Sequence, residues 1–295
     1  MGLILEVCVD TLSGLEAAVA GGADRIELCS ALALGGLTPS VGMMRAAAGC
    51  GVPVMAMIRP RAGDFVWSEA EVAAMEADIL AARETGLAGL VLGASLPDGS
   101  LDEAVLRRLV AVATGGRCLP GHRDGALAGS GAEVLSTPGR ADLTLHRCFD
   151  LVPDMDAAVE QAVDLGFSRI LTSGGAVTAP DGAARIARLV QRAAGRIAIM
   201  AGAGLSAETA PVLLAAGVRE LHGSCADSHA VSGKVAEMGF GPASERRTSA
   251  MQVRALKQAM EAAGGVQRHI RAARGRGRPG HGGLVPGAGQ GRGPV

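Results

Sequence analysis

The sequence predicts an α/β protein of the (β/α)8 TIM-barrel class in a single domain, and three observations carry that prediction. The first is a joint that recurs four times: Gly22-Ala23-Asp24-Arg25-Ile26-Glu27-Leu28, Gly86-Leu87-Ala88-Gly89-Leu90-Val91-Leu92, Gly166-Phe167-Ser168-Arg169-Ile170-Leu171-Thr172 and Gly217-Val218-Arg219-Glu220-Leu221-His222-Gly223. In each, a helix-like run ends at a Gly, which takes the left-handed C-terminal conformation without a Cβ penalty, and a short apolar run follows. The second is that the apolar runs are nearly continuous rather than alternating, as parallel strands covered on both faces require. The third is negative: the first strand leads into Cys8-Val9-Asp10-Thr11. The rival doubly wound sheet would place a Gly-rich dinucleotide turn there.

Eight strands are expected, at residues 3–7, 25–28, 54–58, 89–92, 143–146, 169–172, 197–200 and 219–222. Helical stretches between them carry start signals. Thr38-Pro39 offers an N-cap followed by Pro at the first helical position. Ser68-Glu69-Ala70-Glu71 and Ser100-Leu101-Asp102-Glu103 have the form of a capping box. Asp154, Ser206 and Thr248 are expected to open later helices. Two stretches break the rhythm. Residues 114–141 are rich in Gly and Pro and far exceed an ordinary αβ connection, so they read as an insertion on the stability face of the barrel. Residues 264–295 hold six Arg and no acid, and their Gly/Arg/Pro composition predicts a disordered tail after a barrel of residues 1–263. That tail reads either as an RNA-binding Gly/Arg segment or as a plain C-terminal extension.

Composition narrows the function classes. Apolar residues make up 48% of the chain and aromatics 2%, with no Tyr, so the core is built of Ala, Val, Leu and Ile. The formal net charge is −1, and with the basic tail set aside the body is acidic, which leaves no electrostatic footprint for nucleic acid. No apolar run has the length of a membrane span. The six Cys are widely spaced with no C-x-x-C, and the first residues are strand-like rather than signal-like. A cytoplasmic protein with free thiols is expected.

Side chains at the carboxyl ends of barrel strands converge on one pocket, and residues two apart on a strand share a face. By that parity Glu6 falls with Cys8, and Glu27 with Cys29. The third strand contributes Met55, Met57 and Arg59, followed by Arg61 and Asp64. The fifth contributes His146, with Arg147 and Asp150 beyond, and the eighth Glu220 and His222. Charged groups inside an aliphatic barrel are costly unless paired or used. Glu6, Glu27, Arg59 and His146 are therefore candidate acid–base residues at a barrel mouth, and the alternative is a buried ion-pair network that only plugs it. Arg61 is a candidate substrate clamp. Small-residue turns follow the last three strands, and their backbone N–H groups make Ser173, Gly174, Gly202, Gly204, Gly223 and Ser224 candidate anion-binding residues. Cys8 and Cys29 on one face are candidate soft ligands for Cu(I), with Met55 or Met57 as an extra donor; the plainer alternative is that they are small buried hydrophobes.

Several of these runs resemble a known family. Leu5-Glu6-Val7-Cys8, Ala23-Asp24-Arg25-Ile26-Glu27-Leu28-Cys29-Ser30, Gly35-Gly36-Leu37-Thr38-Pro39-Ser40 and Ile58-Arg59-Pro60-Arg61-Ala62-Gly63-Asp64-Phe65 are similar to CutC, the family named for copper homeostasis. So are Leu145-His146-Arg147-Cys148-Phe149-Asp150, Leu171-Thr172-Ser173-Gly174-Gly175, Met200-Ala201-Gly202-Ala203-Gly204 and Glu220-Leu221-His222-Gly223-Ser224. The resemblance spans residues 3–113 and 142–262. It implies a cytoplasmic (β/α)8 barrel, commonly a homodimer, that takes part in copper homeostasis by binding Cu(I). Cys148 stands where this family is expected to have Ala. The second functional expectation is an orphan barrel enzyme performing acid–base chemistry on a small, phosphorylated or otherwise polar substrate.

Overall fold

In the computed structural model, residues 2–115, 142–240, 242 and 244–276 are described. The eight expected strands are present as β1 (Ile4–Val9), β2 (Arg25–Leu28), β3 (Val54–Met57), β4 (Gly89–Leu92), β5 (Asp142–Leu145), β6 (Arg169–Thr172), β7 (Ala198–Gly202) and β8 (Glu220–Gly223). They close in sequence order into one parallel barrel, with β8 pairing back onto β1. Around it lie α1 (Leu12–Gly21), α2 (Val41–Ala47), α3 (Glu69–Glu84), α4 (Glu103–Thr114), α5 (Met155–Asp164), α6 (Ala183–Ala193) and α7 (Ala210–Ala215). The aliphatic core fills the space between strands and helices, from Leu5 and Ile26 to Leu92, Leu106 and Leu109.

The start signals divide. Ser68 forms the full capping box with Glu71, and Asp154 caps α5 through the N–H groups of Asp156 and Ala157. The other signals shift. Ser40, not Thr38, caps α2, because the Thr38 hydroxyl accepts instead from the Arg59 N–H at 2.9 Å. Ser100 bonds Asp98, leaving Asp102 to cap α4. Ser206 donates its N–H to the Thr209 hydroxyl, so α7 begins only at Ala210.

Two further strands, β9 (Ala226–Ala230) and β10 (Ser244–Thr248), form an antiparallel ribbon outside the barrel, separated by the one-turn helix α8 (Lys234–Glu237). The last helix, α9 (Ala250–Arg276), starts after Thr248 and packs on α1 and α7, with Val253 and Leu256 buried. Because α9 is continuous to Arg276, the boundary expected at Gly264 does not mark the end of a helix. Residues 277–295 of the expected tail, and 116–141 of the expected insertion, lie outside the described residues.

Charge inside the barrel is layered. Arg25, Asp142, Arg169 and Glu220 are the first residues of β2, β5, β6 and β8. Arg25 bridges Glu6 and Glu220, while Arg169 reaches Glu220 at 3.1 Å, Asp142 at 2.8 Å and the Thr144 hydroxyl at 3.1 Å. A buried ion-pair network is therefore present, but at the strand starts, below the mouth, and of the four residues expected to form one only Glu6 belongs to it. Removing one partner of such a network strands the other charges in low dielectric. Arg25→Leu leaves Glu6 and Glu220 facing each other and is expected to cost about 3–5 kcal/mol. Urea unfolding measures this, and a loss under about 1 kcal/mol would place the pair in effective contact with water.

Candidate functional site

Above that plug, the carboxyl ends of the strands enclose a cavity of ≈ 320 Å³. Register decides what meets there. Cα pairing sets Glu6 opposite both Arg25 and His222, and sets Cys8 opposite Glu27. Cys29 stands one level higher, its N–H bonded to the Val9 carbonyl and its Sγ 3.5 Å from Glu27 Oε2. The residue facing Cys8 across the strand pair is thus Glu27 rather than Cys29.

Glu6 is fully buried and divided between two cations. One oxygen takes Arg25; the other lies 2.8 Å from His222 Nδ1. On its far side, His222 Nε2 lies 3.7 Å from Glu27 Oε2. Burial alone would raise the Glu6 carboxyl, yet the His222 hydrogen bond and the Arg25 charge hold it down at about 2. Burial would likewise lower His222, but the facing Glu27 charge leads a set of neighbours that raises it well above its ordinary value. Glu27 goes the other way: burial, reinforced by the nearby Glu6, pushes its carboxyl up against the pull of His222. Ligand atoms of Cys8, Glu27 and His222 lie within 4.8 Å of one another, a donor set able to hold a metal ion. Gly202 is the residue opposite His222 in the register, and a Cβ there would sit 2.7 Å from Leu171 Cδ1 and 3.3 Å from the His222 ring. Its role in this geometry is to leave room for the imidazole.

Arg59 and His146 form another wall. The Arg59 terminal nitrogens bond the carbonyls of Leu34, Gly36 and Gly63 at 2.9–3.1 Å, and its guanidinium lies 5.0 Å from the Phe65 ring centroid. Each of those hydrogen-bond partners is neutral. His146 Nδ1 accepts from the Cys148 N–H at 3.2 Å. Burial, then the Arg59 charge, lowers the imidazole to about 3, so the ring is neutral and its Nε2 carries the proton. Gly93 permits this packing, because a Cβ there would meet the Cys148 sulfur and the His146 ring. Cys148 itself is fully buried, its thiol pushed up to about 12 chiefly by burial.

The cavity gathers Cys8, Glu27, Arg59, His146, Gly204, Gly223 and Ser224 from the sequence-derived candidates. Glu6 and Cys29 stand behind this lining, and Gly202 behind His222. Arg61 lies outside it: its donors go to Glu71 (2.6 Å), Asp64 (2.8 Å) and the Ala62 and Val66 carbonyls, and it stacks on Trp67. Ser173 and Gly174 also lie outside, for a different reason. Their turn does cradle an anion, and that anion is the chain's own Asp150. The carboxylate accepts from the N–H of Ser173 at 3.0 Å, that of Gly175 at 3.1 Å and the Thr172 hydroxyl at 2.5 Å. Arg147 pairs with Asp150 from the cavity side. Among the charged and imidazole side chains of the lining, His222 and Arg147 were placed at the strand ends by the sequence but given no role there. Arg246 arrives from β10, where Ser-Glu-Arg-Arg-Thr gives no apolar signal.

Fold and site together define a (β/α)8 barrel with a cation-rich, partly metal-competent pocket at the carboxyl ends of its strands. The CutC family profile matches residues 3–124 and 131–227, and the chain belongs to the CutC family. It is 51% identical over 260 residues to the family protein CutC of Rhizobium meliloti (strain 1021), covering 88% of this chain and 96% of the relative. Against the family protein CutC of Caulobacter vibrioides (strain NA1000 / CB15N) the identity is 48% over 267 residues, covering 88% and 98%. The crystal structure of CutC from Streptococcus agalactiae, a protein named for copper homeostasis, superposes with a TM-score of 0.64 at 32% identity, covering 75% of this chain and 98% of that one.

A pH experiment tests the central pairing. Glu6 lies at about 2 when folded against 4.5 as an ordinary carboxyl, so its contribution is present above 4.5 and is lost as pH falls toward 2. The raised His222 acts oppositely: its contribution is full below 6.5 and fades only as pH rises through its higher folded value. Glu6→Gln is therefore expected to lose about 3 kcal/mol near neutral pH, with the gap to wild type closing in acid. Denaturant titrations across pH measure it; a pH-independent gap would contradict the assignment.

Proposed function

We propose that this chain takes part in copper homeostasis, as a cytoplasmic protein that binds Cu(I) at the barrel mouth. The observation that carries the reading is the convergence of Cys8, Glu27 and His222 donor atoms within 4.8 Å. Thiolate and imidazole are the soft and borderline ligands that Cu(I) accepts. Glu6 supports the imidazole from behind: with Nδ1–H donated to its carboxylate, Nε2 is the nitrogen that faces Cys8 and Glu27, and it would give up its proton when a metal binds, as histidines held by a carboxylate commonly do at metal sites. Cys29, next to Glu27, and Met57, in the cavity wall, supply further soft donors. The five described cysteines are free, in keeping with a reducing compartment. Among the described residues no helix is long and apolar enough to cross a membrane. A homodimer is part of the same reading, through family membership.

Anaerobic titration with Cu(I) against a chromogenic chelator tests it. Wild type is expected to take up one Cu(I) per chain, and Cys8→Ser to abolish uptake. Glu6→Gln is expected to weaken it about 10–100-fold by loosening His222. Equal uptake by wild type and Cys8→Ser would overturn the copper site, and tighter binding of Zn²⁺ than of Cu(I) would transfer the reading to zinc.

A second reading, acid–base chemistry on a small substrate, is favoured by a separate observation. Glu27, Arg59 and His146 wall the same cavity, and one buried polar atom of each has no hydrogen-bond partner among the described residues.

A further inference from the structure

The antiparallel ribbon outside the barrel supplies no copper donor, yet it delivers a charge to the cavity. It leaves β8 at Cys225, held at a φ of 45°, and returns to the same point, where the Ser249 N–H bonds the Cys225 carbonyl at 2.9 Å. Residues two apart on β10 share a face. The Thr248 hydroxyl would lie 3.3 Å from a Cβ at Gly14 of α1, so the face carrying Arg246 and Thr248 is turned to the barrel. Arg246 Nη2 donates to Ser224 Oγ at 3.2 Å, and both residues line the cavity. The opposite face uses its charges locally: Glu245 pairs with Arg247, and Asp227, opposite Arg247 in the register, accepts from Gln252 at 2.9 Å.

The cavity lining carries four basic side chains, Arg59, Arg147, Arg246 and His222, against one carboxylate, Glu27. Two of the four are compensated. Arg147 pairs with Asp150 at 2.7 Å, and His222 stands between Glu6 and Glu27. The other two have no carboxylate partner among the described residues: Arg59 bonds carbonyls, and Arg246 a hydroxyl. Two uncompensated guanidinium charges on one small cavity call for an anion, and a dianion answers them best.

The Arg246–Ser224 corner has the chemistry of a phosphate seat. Because Arg246 donates into Ser224 Oγ, the hydroxyl proton of Ser224 and the other guanidinium N–H groups are left for acceptor oxygens. Ala203, Gly204 and Gly223 share the wall and present nothing larger than a methyl, so an anion can come close to the backbone. The volume of ≈ 320 Å³ is at the small end of ligand pockets, with room for a few carbons beside a phosphate and not for a nucleotide.

We propose that this corner seats the phosphate of a small phosphate monoester, which accepts hydrogen bonds from Arg246 and Ser224 and lies with its organic end toward His222 and Glu27. Arg59 contributes its charge rather than a contact. A monoester carries about −1.5 to −2 at neutral pH, where a carboxylate or a phosphodiester carries only about −1. The inference rests on the small-molecule reading of the cavity and is independent of copper.

The experiment uses the full chain treated with chelator. The probes are glycerol 3-phosphate, 2-phosphoglycolate and methyl phosphate, with glycerol, glycolate and dimethyl phosphate as comparisons, and binding is read by calorimetry and phosphorus NMR. At least one monoester is expected to bind saturably at millimolar concentration or below, about tenfold or more tighter than its comparison compound. Arg246→Gln is expected to weaken that binding about tenfold or more. Arg247→Gln, on the opposite face of the same strand, is expected to leave it unchanged. If no compound of either set binds, the small-molecule reading itself falls. If the comparison compounds bind as tightly as the monoesters, or Arg246→Gln binds as wild type does, or Arg247→Gln weakens binding as much as Arg246→Gln, the phosphate seat is overturned and the small-molecule reading survives.

Discussion

One carboxylate holds the two halves of this barrel together. Glu6 is divided between Arg25, which belongs to the ion-pair plug at the strand starts, and His222, which faces the cavity at the strand ends. Because Glu6 is fully buried, neither contact can be replaced by water at small cost. The plug thus sets the position of Glu6, Glu6 sets the tilt of His222, and His222 sets the side of the cavity where Cys8 and Glu27 meet. The residues opposite Glu6 and His222 in the register are fitted to this chain of contacts, Gly202 most plainly, since any side chain there would press on the imidazole.

The Gly-rich turns show how one kind of sequence signal resolves into two physical outcomes. After β6, the backbone N–H groups of Ser173 and Gly175 close around Asp150, an anion supplied from the end of β5. That turn is internally satisfied, and Arg147 completes the local neutralisation. After β7 and β8, Gly204, Gly223 and Ser224 stay in the cavity wall. Ala203, just before Gly204, is held at a φ of 82°, a left-handed conformation that costs a non-glycine residue energy and persists where the surroundings impose it. Its carbonyl is fixed by the Ala179 N–H, which ties the loop after β6 to the cavity wall.

The fold was legible because its signals are local. Gly22, Gly86, Gly166 and Gly217 do take positive φ at helix ends, and the apolar runs after them are strands. Strand parity also placed Glu6, Cys8, Glu27 and His146 on the inner face. Parity gives the face of a side chain but not its height, which depends on the stagger between neighbouring strands. That is why the plug and the pocket could not be separated in advance, and why Cys8 and Cys29 looked level. Helix starts at Thr38 and Ser100 were misplaced for a related reason. Their hydroxyls are taken by Arg59 and Asp98, and that competition is decided by the fold. Arg246 was invisible because a polar two-stranded ribbon carries no hydrophobic pattern.

The charge states of the two cavity imidazoles follow from this account, and they differ sharply although both rings are buried. His222, between two carboxylates, is an imidazolium; His146, beside Arg59, is neutral and protonated at Nε2. Long-range proton–nitrogen NMR of histidine-labelled, metal-free protein across pH reads both directly. The account predicts that His222 keeps both ring protons through neutral pH while His146 stays neutral down to about 3. Ordinary titration of His222 near 6.5 would contradict its placement between the Glu27 and Glu6 carboxyl groups, the constraint that organises the site.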